Sequence, residues 1–537
     1  MEQHEEALKQ ISERVKSFHD RQLPFRVYHG STNSTRTVGY DPEKVVDTSA
    51  LSHVISIDAT ACTAIVEPNV PMDQLVSTTL EKGFVPQVVP DFAAITVGGA
   101  FSGTAAESSS FKYGYFDRTI NWVEIVLATG RVVKASPTEN ADLFNGAAGA
   151  CGTLGVTTLF EIKLIPAADY VQVTYMPVYS TKEALEEIDK RAKEDWDYID
   201  GILYSATMGI IVLGKITDGK LLKDEHIQHF NRAKDPWFYM HAHEQVAHSH
   251  HTYCDTCQLA GSLSPFEVAT EKEKLGKDEV YRTELIPIFD YFFRYDRGTF
   301  WMGSYGWGGS NLKFNKFTRW LFDSLFRTRN MYKAMHHSRR AQRFIIQDLA
   351  LPRETAEEFI KWTNEALFLF PLWLCPVDAN TKVPLHRPAN RPPKQMVANG
   401  GSSIAEKPHG EAMTISIGLW GMNCTHKAIK VYFEKMKWGP RLHELTMTDN
   451  RAIEAKVFEL GGLKWLYAQN YYTEEEFWNI YDKQRYSQLR AKWDAGTLPT
   501  LWDKMKNTKG FQKDGNFPKA VLLTYLGKEH LMKRKAK

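Results

Sequence analysis

Residues 85–167 read VPQVVPDFAAITVGGAFSG (85–103), TAAESSSFKYGYFDR (104–118), TINWVEIVLATGRVVKASPTENADLFN (119–145) and GAAGACGTLGVTTLFEIKLIPA (146–167). Two clusters of small residues stand out: Thr96-Val97-Gly98-Gly99-Ala100-Phe101-Ser102-Gly103-Thr104, and Gly149-Ala150-Cys151-Gly152-Thr153-Leu154-Gly155-Val156. A third lies upstream, at His29-Gly30-Ser31-Thr32-Asn33-Ser34-Thr35. Each is expected to be a loop. A diphosphate needs several backbone N–H groups converging on its oxygens, together with hydroxyls that donate to the same oxygens. Glycine, serine and threonine meet both demands, although any one such loop reads equally well as a tight turn. No G-x-G-x-x-G follows the first strand and no G-x-x-x-x-G-K-[ST] occurs, so neither a Rossmann nor a Walker loop is present.

Around these clusters, short β-rich runs alternate with helices. Strands are expected at 25–28, 54–57, 63–67, 122–128 and 157–164. A helix is expected from Pro71 to Gly83, and another from Ser136-Pro137-Thr138-Glu139, which combines a capping box with proline at the first helical position. Leu8, Ile11, Val15 and Phe18 follow helical spacing, so residues 1–22 read as a surface helix. Past Pro166 the style changes. Tyr170 to Val178 reads as a strand, Ser180 with Glu183 caps a helix, Gly201 to Gly214 reads as a buried hairpin and Met413 to Trp420 as a strand, while 380–408 reads as a long loop. The fold class is therefore α+β: a ligand-binding domain over 23–168, a cap over 169–445 and a carboxyl-terminal segment over 446–537 that returns to the first domain.

The 537 residues exceed what one core usually serves, in keeping with two large domains. Sixty-six basic and 64 acidic side chains leave +2 with no long run of one sign, which argues against a nucleic-acid partner. Six cysteines are too few for a disulfide scaffold, and no uncharged run reaches the length of a bilayer span. A cytoplasmic chain is the default expectation.

The 85–167 run resembles the FAD domain of the vanillyl-alcohol-oxidase/para-cresol-methylhydroxylase (PCMH) superfamily. Glu107-Ser108-Ser109-Ser110-Phe111-Lys112-Tyr113-Gly114 and Cys151-Gly152-Thr153-Leu154-Gly155 resemble, more narrowly, the Delta(24)-sterol reductases. So do Phe370-Pro371-Leu372-Trp373-Leu374-Cys375-Pro376, and Leu466-Tyr467-Ala468 followed by Glu475-Glu476-Phe477-Trp478. The resemblance implies FAD lying between two α+β subdomains. Its diphosphate would meet Gly30 to Thr35 and Thr96, Val97, Gly98, Gly99, Gly103 and Thr104; Gly152 to Val156 would lie along the adenosine and ribityl portion. His29, Pro90, Ser108, Ser109, Gly114 and Cys151 belong to the same candidate set. Superfamily members that bind flavin covalently commonly carry a histidine inside the first loop; here His29 precedes Gly30 and the in-loop residue is Asn33, so noncovalent FAD is expected. The implied activity is NADPH-dependent reduction of a side-chain double bond of a sterol or isoprenoid, with peripheral contact to the endoplasmic reticulum. An FAD oxidase or dehydrogenase of an alcohol or sugar, and a flavin-stabilised lipid carrier without turnover, are the alternatives.

A reduced flavin is anionic and calls for a nearby cation, for which Lys112, Arg118, Arg294 and Arg297 are candidates. Reduction of an isolated double bond also requires a proton donor opposite the flavin, and Tyr471 is the expected one, with Glu474 second. The aromatic runs 289–293, 300–307 and 368–373 could line an apolar pocket. His241, His243, His248, His250 and His251 precede Cys254 and Cys257, but the pattern lacks a second C-x-x-C and no metal is expected there.

Overall fold

The computed structural model describes residues 1–30, 34–35, 41–219, 227–247, 281–306, 315–379, 413–422, 439–507, 510–513 and 515–526. The amino-terminal helix Glu2–Asp20 buries Ile11, Val15 and Phe18, one apolar stripe of a 3.6-residue period, against the first domain. Strand Arg26–Tyr28 pairs in parallel with Val45–Asp47 in a small separate sheet. The larger sheet of this domain has the order Val54–Asp58, Thr63–Val66, Val156–Pro166, Ile120–Val126, Val132–Ala135, with every neighbouring pair antiparallel. Phe84–Pro86 pairs with the far end of the long strand Val156–Pro166.

The amino-terminal helix is held by charge as well as by packing. His4 is buried, with Nδ1 2.8 Å from Glu67 Oε1 and Nε2 3.1 Å from Glu124 Oε1. Hydrogen bonds to Glu124 and Glu67 push its pKa from 6.5 up to about 9, so both ring nitrogens donate in the protonated form. Because the folded-state pKa is the higher one, this stabilisation is complete below about 6.5 and disappears as pH rises through about 9. His4→Ala is expected to cost about 3–5 kcal/mol, by leaving buried carboxylates without their cation. Thermal melts should lose their pH dependence across that window; an unaltered slope would contradict the assignment.

The second sheet has eight strands in the order Arg282–Pro287, Tyr170–Val178, Met208–Thr217, Tyr198–Ser205, Leu372–Asp378, Met413–Met422, Phe344–Pro352, Leu463–Lys464, all antiparallel. Its period-two alternation separates two cores. Leu372 and Leu374, Ile345 and Leu349, and Ile415 and Ile417 meet the helices Thr181–Arg191, Arg353–Leu367 and Pro440–Glu459 on one face. Trp373, Cys375, Val377, Ile346, Ala350 and Trp420 point the other way and join the core of the first domain.

Three expectations are corrected. The helix expected from Pro137 begins only at Ala141, because Asn140 is held left-handed (φ 51°) with its side chain tied to Lys134 O at 2.7 Å; Ser136 Oγ closes a turn on the amides of Thr138 and Glu139. The cluster at 96–104 is the helix Val97–Gly103 rather than a loop, with Thr96 Oγ1 accepting from Gly99 N as the cap. The boundary expected at 445 falls inside the helix Pro440–Glu459, whose Ile453 and Val457 pack on the cap sheet. Strand Tyr170–Val178 and the hairpin Tyr198–Ser205/Met208–Thr217 agree with the reading from sequence. No helix among the described residues is long and apolar enough to cross a membrane.

Candidate functional site

The small-residue segments converge where the cap sheet meets the first domain. Gly30 has φ +77°, a turn conformation suited to glycine, and His29 before it keeps a buried Nδ1 with no hydrogen-bond partner among the described residues. Burial first, then the neighbouring Lys504 ammonium, lower the His29 pKa to about 4, so its ring is neutral. Arg26, three residues earlier, also has its pKa lowered by burial. Cationic groups thus crowd a glycine turn, and an anion there would relieve them.

In the Val97–Gly103 helix the first amides are already engaged: Val97 N donates to Val70 O and Gly98 N to Pro68 O. Gly98 is required by that approach, since a Cβ there would lie 2.9 Å from Pro68 Cβ and 3.1 Å from Pro68 O. At Gly103 a Cβ would meet nothing within 4 Å. The third segment turns through left-handed Gly149, Cys151 and Gly152. It is clamped by the carboxyl-terminal region: Lys504 Nζ donates to Cys151 O (2.6 Å), Arg490 Nη1 to Thr153 O (2.7 Å), and Tyr486 OH and Thr153 Oγ1 lie 2.7 Å apart. Gly155 lets Val156 enter its strand against Val126, whose carbonyl oxygen would stand 2.9 Å from any Cβ at 155.

Residues 465–469 touch the first two of these segments. Trp465 Nε1 donates to Thr104 O (2.9 Å), Ser34 Oγ to Tyr467 O (2.6 Å) and Gln469 N to Thr35 Oγ1 (2.9 Å), while His336 Nε2 donates to Ser34 O (2.8 Å). The Tyr467 hydroxyl points to the cap sheet and donates to Asp348 Oδ2 at 2.7 Å; Trp420 Nε1 donates to the other carboxylate oxygen at 3.1 Å. Burial raises the Asp348 pKa to about 6 against the pull of those two bonds. The Tyr467 ring stacks on Trp420, which in turn meets Phe92 and Phe300 edge-on or tilted at 5.3–5.6 Å. The result is a carboxyl–phenol pair set in an aromatic wall.

Beside it lies a buried charge cluster joining the two domains. Arg294 Nη2 is 3.0 Å from Asp200 Oδ2 and its Nη1 is 3.4 Å from Asp91 Oδ1. Tyr295 OH (2.8 Å) and Trp373 Nε1 (3.0 Å) also donate to Asp200 Oδ2, and Asp91 N donates to Glu107 Oε1 (3.0 Å). Burial pushes Asp91 up to about 7 despite Arg294, and raises Glu107, with Asp91 adding to the effect. Three acids share one guanidinium, so the Asp91–Glu107 pair retains a proton near neutrality.

Of the residues singled out from sequence, Arg294 is in this cluster and Pro90 directly precedes Asp91. Arg297, expected to face the flavin, is occupied otherwise: it donates to Asp323 (2.7 Å) and to the carbonyls of Phe230, Ala233, Asp235 and Pro236. Lys112 pairs with Asp197 of the cap (3.0 Å) near the surface, and Arg118 reaches Asp378. Ser108 O accepts from Ile199 N and Ser109 Oγ donates to Gln87 O, while left-handed Gly114 leaves room for the Arg118 side chain. Tyr471 lines a cavity of about 390 Å³ with Thr35, His336, Gln469 and Lys504; its amide donates to Glu454, and burial raises its pKa far above the ordinary tyrosine value. Glu474 opens the helix Glu474–Ile480, as its acidic first turn implied. Ser31, Thr32, Asn33, His248, His250, His251, Cys254 and Cys257 lie outside the described residues. Sequence reasoning missed Asp91, Glu107, Asp200, Asp348, Tyr467, His336 and Lys504. Only Asp91 and Glu107 carried a local signal, as acids inside runs of small and apolar residues.

Comparison with known proteins agrees with this geometry. Residues 6–136 match a family model described as an FAD binding domain. The Delta(24)-sterol reductase of Macaca fascicularis is 26% identical over 468 residues, 85% of this chain and 76% of its own. The Delta(24)-sterol reductase homolog of Caenorhabditis elegans is 24% identical over 526 residues, 94% and 87% of the two chains. Cytokinin dehydrogenase 9 of Oryza sativa subsp. japonica is 35% identical over only 136 residues, 25% of this chain and 26% of its own. The neutral His29, the flanking cations and the glycine turn fit a dinucleotide diphosphate. The chain therefore carries a match to an FAD binding domain over residues 6–136, joined to an α+β cap, and resembles the Delta(24)-sterol reductases over most of its length.

Proposed function

We propose that this protein is an FAD-dependent reductase of a side-chain carbon–carbon double bond in a sterol or related isoprenoid, using NADPH. The observation that carries the reading is the extent of the likeness. Similarity to the sterol reductases continues through the cap, the part that would meet a substrate, whereas similarity to the cytokinin dehydrogenase is confined to 136 residues.

His29, Gly30, the 31–35 segment, Lys504 and the Gly149–Val156 turn would hold FAD noncovalently, a group that once reduced by NADPH would supply hydride. The protein must then protonate the other carbon, because no carbonyl is available to take up the charge. We assign this to the Tyr467 hydroxyl, with Asp348 behind it as the proton reserve; residues adjoining Tyr467 touch both Thr35 and Thr104, and the Trp420–Phe300–Phe92 wall excludes water around it. Tyr471, expected from sequence, is the competing donor, and Tyr471→Phe beside Tyr467→Phe separates the two. Lys504→Met is expected to weaken FAD retention on the order of tenfold by removing one charge from the diphosphate, as read from flavin released during dilution. Equal retention would contradict that role.

Anaerobic mixing tests the reading. NADPH should bleach the flavin, and a sterol with an unsaturated side chain should restore the colour. Bleaching by an alcohol or sugar but not by NADPH would establish an oxidase or dehydrogenase instead. Sterol binding without any redox change would leave a lipid carrier.

A further inference from the structure

The helix Thr328–Ser338 sets Thr328, Tyr332 and His336, at positions i, i+4 and i+8, in one inward row with exposures of 0%, 2% and 9%. The first of them is tied to the cap. Thr328 donates through its amide (3.1 Å) and its hydroxyl (2.8 Å) to Asp296 O, and Thr299 Oγ1, next to Phe300 of the aromatic wall, donates to Thr328 Oγ1 at 3.2 Å. The last is tied to the first domain, where His336 Nε2 donates to Ser34 O at 2.8 Å. Tyr332 stands between these two anchors, its ring 6.3 Å from that of His336. Unlike them, it is unengaged: its buried hydroxyl has no hydrogen-bond partner among the described residues.

Buried hydroxyls are nearly always paired, because a dry one forfeits its bond to water. The surroundings of this one indicate what completes it. Burial first, and then the Asp348 charge, raises the Tyr332 pKa, while burial, Asp348 and then Tyr332 raise that of Tyr467, so the two phenols and the carboxyl are electrostatic neighbours. A ligand that fills the gap must bring an acceptor. The unsaturated end of a sterol side chain or an isoprenoid is hydrocarbon and brings none, whereas a flavin ring carries carbonyl oxygens and ring nitrogens.

We propose that the Tyr332 hydroxyl donates a hydrogen bond to an acceptor atom of the flavin ring and thereby tunes how readily the bound flavin takes up electrons. The inference rests on the function proposed above, but its test needs neither sterol nor NADPH. A hydrogen bond to a charged acceptor is about twice as strong as one to a neutral acceptor, so this donor favours the anionic, reduced ring. FAD-loaded full-length protein is compared with Tyr332→Phe, which keeps the ring and removes only a hydroxyl that no protein group holds. The variant should shift the visible absorption bands of the flavin and release FAD on dilution about three- to tenfold more readily. Its reduction equilibrium against a reference dye should move about three- to tenfold toward the oxidised form. A variant with wild-type spectrum, retention and reduction equilibrium would overturn the proposal. So would one altered in turnover alone, since the hydroxyl would then serve a water or the substrate. Wild-type protein that takes up no FAD would overturn the underlying functional reading, and this inference with it.

Discussion

Tyr467→Phe should lower kcat by about a hundred- to ten-thousand-fold, the range expected when a positioned general acid is removed, while FAD content and flavin reduction by NADPH remain normal. The reasoning is geometric. Tyr467 lies on a segment that touches Ser34, Thr35 and, through Trp465, Thr104, and its hydroxyl is fixed by a 2.7 Å bond to Asp348. A phenol alone is a weak acid at neutral pH; with a protonated Asp348 behind it, a proton can be passed on as the hydroxyl gives up its own. Burial sets the Asp348 pKa at about 6, so the rate of the protonation step should fall as pH rises through about 6. Asp348→Asn should remove that step from the pH profile and lower kcat more than it raises KM. A Tyr467→Phe enzyme with near-normal kcat, alongside a crippled Tyr471→Phe enzyme, would move the donor to Tyr471.

Arg294→Gln should destabilise the fold by about 3–5 kcal/mol, because it strips the guanidinium that pairs with Asp91 and Asp200 from a cluster of buried acids. Asp200 would keep Tyr295 and Trp373 as neutral donors, but its charge and that of Asp91 would face no cation. The pH dependence has a definite sign. Burial raises the folded-state pKa of Asp91 from 3.8 to about 7, so the folded protein binds more protons than the unfolded chain in that window and is progressively destabilised as pH rises across it. Without Arg294 the acids should hold their protons to still higher pH, and the loss on alkalinisation should steepen. Arg294→Lys should rescue only part, because one ammonium cannot span Asp91 and Asp200 as the planar fork does. A variant melting like wild type across this range would show that the cluster does not join the domains.

Much of the architecture was legible in local sequence. Tyr170 to Val178 form the expected strand, Ser180 caps its helix through the Glu183 amide, and the run from Gly201 to Gly214 forms the expected hairpin. Each of these depends on residues within a few positions of one another. The failures share the opposite character. Pro137 sits where a helix could begin, but Asn140 tied to the Lys134 carbonyl interrupts it. Arg297 stands in a charged string that reads as a site cation, yet four carbonyls from residues 230–236 absorb its guanidinium. Lys504 meets Cys151 across 353 positions and Tyr467 meets Asp348 across 119, distances over which a single sequence carries no pairing signal. The glycine-, serine- and threonine-rich segments were recognisable because a close backbone approach restricts residue type locally. Their cationic and acidic partners were not, because only folding brings them near.

Product analysis addresses the central claim most directly. FAD-loaded protein, NADPH and a sterol carrying a side-chain double bond should yield, by mass spectrometry, a sterol heavier by one hydrogen molecule, with NADPH consumed in equal amount. Recovery of the sterol unchanged while an alcohol or sugar is oxidised at the expense of the same flavin would contradict it.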